Sequence, residues 1–184
     1  GTLWKQAKFR VALCYPDSYS VGMSSLGFQA IYGEIHLHPD ATAERAFLPE
    51  QSENYRQSRT PIFSYESEQS LSGFHVVAFS ISYELEIPGI FEMLDLSGIP
   101  ILRAERASKD PLIVVGGPLT NSNPIPLAPF ADLIILGEGE ELIHTLLDAV
   151  ATMSRDDLLA YFSRIPGCYV PGQTTQPPLL AKVL

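Results

Sequence analysis

Leu112-Ile113-Val114-Val115-Gly116-Gly117-Pro118 is the stretch whose reading decides the fold. Four consecutive apolar residues with no polar alternation suit a central strand covered on both faces. Two glycines at its end let another backbone or a ligand approach closely, because no side chain stands in the way. Pro118 stops the strand. Working outward, three more segments end in the same manner. Phe9–Tyr15 is an apolar strand running into Pro16 and Asp17, His75–Ser82 is a strong strand ending in serines, and Ala131–Leu136 closes at Gly137.

Helical patterns alternate with these strands. One runs from a cap at Ser24 or Ser25 to about His36, Ser24 reading as a cap rather than a nucleophile. Others cover Ile87 to Leu96 with Gly98 as stop, Glu140 to Met153, and Arg155 to about Phe162 behind a Ser154 cap. Ala43 to Leu48 is a weak strand, Glu50 to about Arg59 a polar helix, and Asn121 to Pro129, with three prolines, a loop or a distorted turn. After Pro166 the pattern fades, and 171–184 reads as a linker or tail behind a domain spanning 1–170. Strand–helix alternation predicts an α/β doubly wound, mostly parallel sheet of the flavodoxin-like, Rossmann three-layer kind. In such sheets ligands bind outside the carboxyl ends of the strands, at the switch point. The candidate loops are therefore Asp17 to Gly22, Ser80 to Glu86, Gly116 to Asn123 and Gly137 to Glu140.

The chain of 184 residues is 46% hydrophobic and 18% charged, which fits one globular domain with a real core. Its formal net charge of -9 and the lack of any basic cluster argue against nucleic acid and against an anionic membrane surface. No apolar run approaches the roughly 20 residues that span a bilayer. No signal-peptide pattern opens the chain, so a reducing cytoplasm is the expected compartment. The two cysteines, Cys14 and Cys168, form no disulfide framework and no zinc pair. His36, His38, His75 and His144 read as structural rather than as metal ligands.

Phosphate-cradle motifs fail. Gly137-Glu138-Gly139-Glu140-Glu141-Leu142 begins like G-x-G-x-x-G, but Leu142 replaces the third glycine, and three carboxylates repel a pyrophosphate. Glu138, Glu140 and Glu141 suit either the positive end of a helix dipole or a neutral ligand's hydroxyls and amides. Gly22-Met23-Ser24-Ser25-Leu26-Gly27 misses the nucleophile-elbow spacing. Ser80 and Ser82 put both hydroxyls on one strand face, where they line a pocket or meet the backbone.

Five elements in order carry a family resemblance: RVALCYPDSYSVG from Arg10, FHVVAFSISYEL from Phe74, MLDLSGIP from Met93, VVGGP from Val114 and LGEGEE from Leu136. Together they resemble the N-terminal, cobalamin-binding-like domain of radical SAM iron–sulfur oxidoreductases, over roughly Phe9 to Val170. The resemblance implies a corrinoid site at Asp17, Tyr19, Gly22, Ser80, Ser82, Gly116, Gly117, Gly137, Glu138, Gly139 and Glu140. Tyr19 stands where the histidine-ligating domains carry their cobalt ligand, and a phenol is a poor substitute for imidazole. Cobalamin without a protein ligand and a degenerate scaffold making only interdomain contacts are thus both open. A small-molecule enzyme using Asp17, Ser80 and Glu138 is a weaker third reading. The CxxxCxxC signature is absent, so S-adenosylmethionine and a [4Fe–4S] cluster are expected only in a catalytic domain downstream, with this chain as an accessory domain presenting substrate or a corrinoid to it, and no catalytic residue of its own.

Overall fold

The computed structural model describes residues 3, 5–137 and 139–174. Among them the strands are β1 (Phe9–Tyr15), β2 (Ala41–Phe47), β3 (Val76–Ser80), β4 (Leu112–Gly116), β5 (Leu133–Ile135) and β6 (Cys168–Tyr169), joined in one sheet of order β2-β1-β3-β4-β5-β6. The first five strands are parallel and β6 runs antiparallel to β5. The helices are α1 (Tyr19–Gly22), α2 (Leu26–Leu37), α3 (Ser52–Ser58), α4 (Ile87–Leu96), α5 (Pro118–Ser122), α6 (Glu140–Thr152) and α7 (Arg155–Phe162). This is the doubly wound α/β architecture, with the winding direction reversing between β1 and β3.

The two-residue period of a strand builds two cores. Val11, Leu13 and Tyr15 of β1 join Val76, Val114 and Leu133 in packing against Phe28 and Ile35 of α2, Leu146 and Leu147 of α6 and Phe162 of α7. The alternate residues, Ala12, Cys14, Val77, Phe79, Ile113 and Val115, meet Ile90, Met93 and Leu94 of α4. A fully buried side chain of this size contributes about 1.5–3 kcal/mol, so these rows hold the helices to the sheet. Helix α3 buries no side chain and adds little by that route.

Two ionic clusters finish the sheet. On the edge strand β2, Glu44 accepts hydrogen bonds from Arg10 at 2.6 Å, from the Ser64 hydroxyl at 2.6 Å and from the Ser67 hydroxyl at 2.5 Å. Tyr65 N–H donates to the Arg45 carbonyl at 2.7 Å, and Phe63 pairs with Ser70 in an isolated bridge. The segment 61–70 thereby forms a strap over an edge that would otherwise offer unpaired backbone. At the amino end of the sheet, Asp132 accepts from Ile113 N–H at 2.8 Å, Arg155 at 3.0 Å and Arg106 at 3.3 Å, tying β4, β5 and α7 together.

Several expectations change. Ser25 rather than Ser24 caps α2, accepting from Phe28 N–H, while the Ser24 hydroxyl turns back to the Val21 carbonyl. The β2 strand starts at Ala41 and every residue in it is buried, so it is not weak. The Asp17 to Gly22 loop contains the single turn α1. Pro118 does stop β4, but it sits in the first turn of α5, where a missing N–H costs nothing, and the stretch read as a loop or distorted turn holds a 3-10 turn at Ile125–Leu127. Beyond Pro166 the chain adds β6, whose two residues are too few to show any period.

Candidate functional site at the carboxyl rim

The reversal between β1 and β3 opens the rim at Tyr15 and Ser80, and the polar groups gather there. The Tyr15 hydroxyl and the Ser82 hydroxyl lie 3.1 Å apart. Glu86, buried at 2% exposure, accepts from Ser82 N–H at 2.5 Å through one carboxylate oxygen. Its other oxygen has no hydrogen-bond partner among the described residues. Burial pushes the Tyr15 phenol up to about 12; the Ser82 hydrogen bond pulls it down, and the neighbouring Glu86 carboxylate, by hydrogen bonding and by charge, pushes it up. Tyr15, Ser82 and Glu86 therefore form a chain of one neutral phenol, one hydroxyl and one carboxylate at the switch point. Sequence reasoning named Ser82 as a site residue and reached Glu86 only as the end of a candidate loop. The available signal for Glu86 was its place just before the Ile87-Pro88 start of a helix.

Ser80 and Gly116 are register partners on neighbouring strands. A side chain added at Gly116 meets nothing closer than Ile135, at 3.8 Å. Gly117 differs. It has φ +109°, and a Cβ there would stand 2.4 Å from the Ile81 carbonyl oxygen. The backbone of Ile81 already uses the space that Gly117 leaves. Gly22 is likewise committed, since a Cβ would come 2.6 Å from the Phe47 ring. Asp17 accepts from Ser18 N–H at 2.5 Å and serves its own turn. Gly139 precedes α6, Gly137 has φ +94°, and Glu140 begins α6 exposed to solvent. These three stand at the end of β5, two strand spacings from β3, or about 10 Å. Glu138 lies outside the described residues.

Tyr19 does not project alone into the rim. Its ring stacks on Tyr65 at 5.0 Å and meets Phe47 edge-on at 5.1 Å. A cavity of about 300 Å³ opens beside β2, lined by Tyr19, Phe47, Tyr55, Phe63 and Tyr65 together with Ser18, Glu50, Leu48, Pro49 and Ile62. None of Ser80, Ser82, Gly116 or Gly117 lines it.

The histidines are engaged: His36 with the Ala43 carbonyl, His38 with Asp148, His144 with Glu34, and His75 accepting from Arg10 N–H. Among the described residues no group of three or more His, Cys, Asp and Glu side chains is placed to hold a metal ion, and no helix is long and apolar enough to cross a membrane. Cys14 and Cys168 are both buried, on β1 and β6, four strand spacings or about 19 Å apart. They do not fit an iron–sulfur cluster.

Fold and rim together define a doubly wound α/β domain whose polar groups Tyr15, Ser82 and Glu86 gather on the rim beyond the strand ends. The family of radical SAM proteins, N-terminal region, matches residues 27–171, and the chain belongs to it. No curated protein and no solved structure matches the chain.

Proposed function

We propose that this domain is an accessory module that holds a substrate or a corrinoid at the carboxyl rim and presents it to a catalytic radical SAM domain downstream in the same polypeptide. One observation carries the reading. The rim that bears Tyr15, Ser82, Glu86 and the open Gly116 also bears large apolar side chains left in water: Tyr19 at 45%, Leu26 at 82%, Tyr83 at 44% and Leu85 at 85% exposure. Exposed apolar groups gathered around polar ones mark a surface that meets a partner. A corrinoid fits the rim in part. At Gly116 an added Cβ would meet nothing closer than Ile135 at 3.8 Å, whereas the spaces at Gly22 and Gly117 are already taken. The Tyr19 ring packs against Phe47 and Tyr65, and its phenol is a poor cobalt ligand beside an imidazole. A bound corrinoid would supply alkyl-transfer or electron-transfer chemistry. The contribution of this chain would be to grip the edge of the macrocycle.

Titration of the chain with hydroxocobalamin, followed by absorbance and by melting temperature, tests the reading. Saturable binding with a rise in melting temperature supports the corrinoid form, because a ligand that binds only the native state stabilises it. Absence of binding at millimolar cobalamin removes the corrinoid and leaves substrate presentation, or a purely interdomain role, to be separated by exchange measurements on the longer polypeptide.

A further inference from the structure

The aromatic cavity beside β2 does not belong to the polar chain at Tyr15, Ser82 and Glu86, and its lining is chemically one-sided. Tyr19, Phe47 and Tyr65 contact one another at centroid distances of 5.0–5.9 Å. Tyr55 and Phe63 make no ring contact with that trio and complete the wall. The only charged residue among the lining residues is Glu50, and no Lys, Arg or His lines the cavity. Phe63 and Tyr65 remain 43% and 61% exposed. The strap that carries both is nevertheless fixed, through Ser64 and Ser67 to Glu44 and through Tyr65 N–H to β2. The half-wet rings are thus held in place rather than left to fold inward.

Ring faces carry negative potential and attract cations, best when several rings surround one charge and a carboxylate stands near. We propose that this cavity is an aromatic cage for an organic cation, an alkylated ammonium group carried on a small molecule or a peptide side chain. Its size of about 300 Å³ admits a trimethylammonium head with part of its tether and is too small to enclose a corrinoid. A phosphate or carboxylate ligand has no cationic partner there and faces Glu50. The proposal is independent of the corrinoid reading, since it uses none of the rim residues but Tyr19.

The test is titration of the 184-residue chain with N-acetyl-trimethyllysine amide and with its neutral tert-butyl isostere, followed by aromatic proton shifts. The cation binds at least tenfold tighter than the isostere, and the shifts report the rings of Tyr19 and Tyr65. Replacement Tyr65→Ala, at an exposed position, weakens binding by roughly threefold or more, as expected for loss of one cation–π partner. Glu50→Gln weakens the cation and leaves the isostere unchanged. Melting temperatures of both variants within about 2 °C of the parent show that the fold is intact. Equal affinity for cation and isostere overturns the proposal in favour of a merely apolar cavity, and absence of binding by either overturns it outright.

Discussion

Replacing Gly117 and Gly116 by alanine, one at a time, separates what the fold requires from what a ligand would require. Gly117 has φ +109° and ψ 177°, a region that glycine alone occupies readily. Forcing alanine there costs on the order of 1–3 kcal/mol from backbone strain. The new Cβ would also stand 2.4 Å from the Ile81 oxygen and 2.8 Å from its nitrogen, so Ile81 must move. That nitrogen donates to the Gly116 carbonyl at 2.9 Å, and that oxygen accepts from Leu119 N–H at 3.3 Å. Losing one of these adds about 1 kcal/mol. The sum is about 2–4 kcal/mol, and at roughly 2–4 °C per kcal/mol for a chain of this size the melting temperature falls by about 4–16 °C. At Gly116 the added methyl makes an ordinary contact with Ile135 at 3.8 Å. Alanine also suits a strand better than glycine by about 0.5–1 kcal/mol, so Gly116→Ala melts at or slightly above the parent temperature. Thermal unfolding followed by circular dichroism, with urea unfolding as a check on two-state behaviour, reads both. A Gly117→Ala variant melting within 1 °C of the parent would refute the argument and free that glycine for a ligand role.

Asp132→Ala leaves Arg106 and Arg155 without their shared carboxylate at a buried site and should cost about 3–5 kcal/mol in urea unfolding, whereas a loss below 1 kcal/mol would show that the cluster is not structural. Burial raises the Glu44 carboxyl, but hydrogen bonds from Ser64, Ser67 and Arg10 outweigh it and hold the group below its ordinary 4.5. Its stabilisation is then present above pH 4.5 and lost as pH falls below it, so the parent loses more stability between pH 5 and pH 3 than Glu44→Gln; equal slopes contradict this. Burial pushes the Cys168 thiol up to about 12 and the Cys14 thiol higher still. Both should therefore resist a thiol reagent at pH 8 until the chain unfolds, and rapid labelling of either in the native protein contradicts the burial.

The sheet was legible because its central strands carry period and punctuation. Val76–Ser80 and Leu112–Gly116 are continuous apolar runs that end in small residues, and the strand ends located the rim. Strand β2 was harder, since Thr42, Glu44 and Arg45 break an apolar reading; Glu44 and Arg45 find their partners 20 or more residues away, at Ser64, Glu66 and Ser67. The β6 strand was hidden because two residues display no alternation, and its pairing comes entirely from β5. At the site, Ser82 was found from its strand end, while Tyr15 and Glu86 were missed because their meeting is a tertiary event across β1 and β3. The aromatic cavity was equally invisible, its rings being drawn from α1, β2, α3 and the strap.

The carboxyl rim is proposed to face a radical SAM domain of the same polypeptide. Hydrogen exchange on the 184-residue chain, compared with the same segment inside the longer polypeptide, tests it most directly. Slowed exchange in residues 17–27 and 81–86 of the longer polypeptide, with the amino-end loops around Asp110 and Asp132 unchanged, is the result this account predicts. Protection confined to those amino-end loops, with the rim exchanging as freely as in the isolated chain, would contradict it.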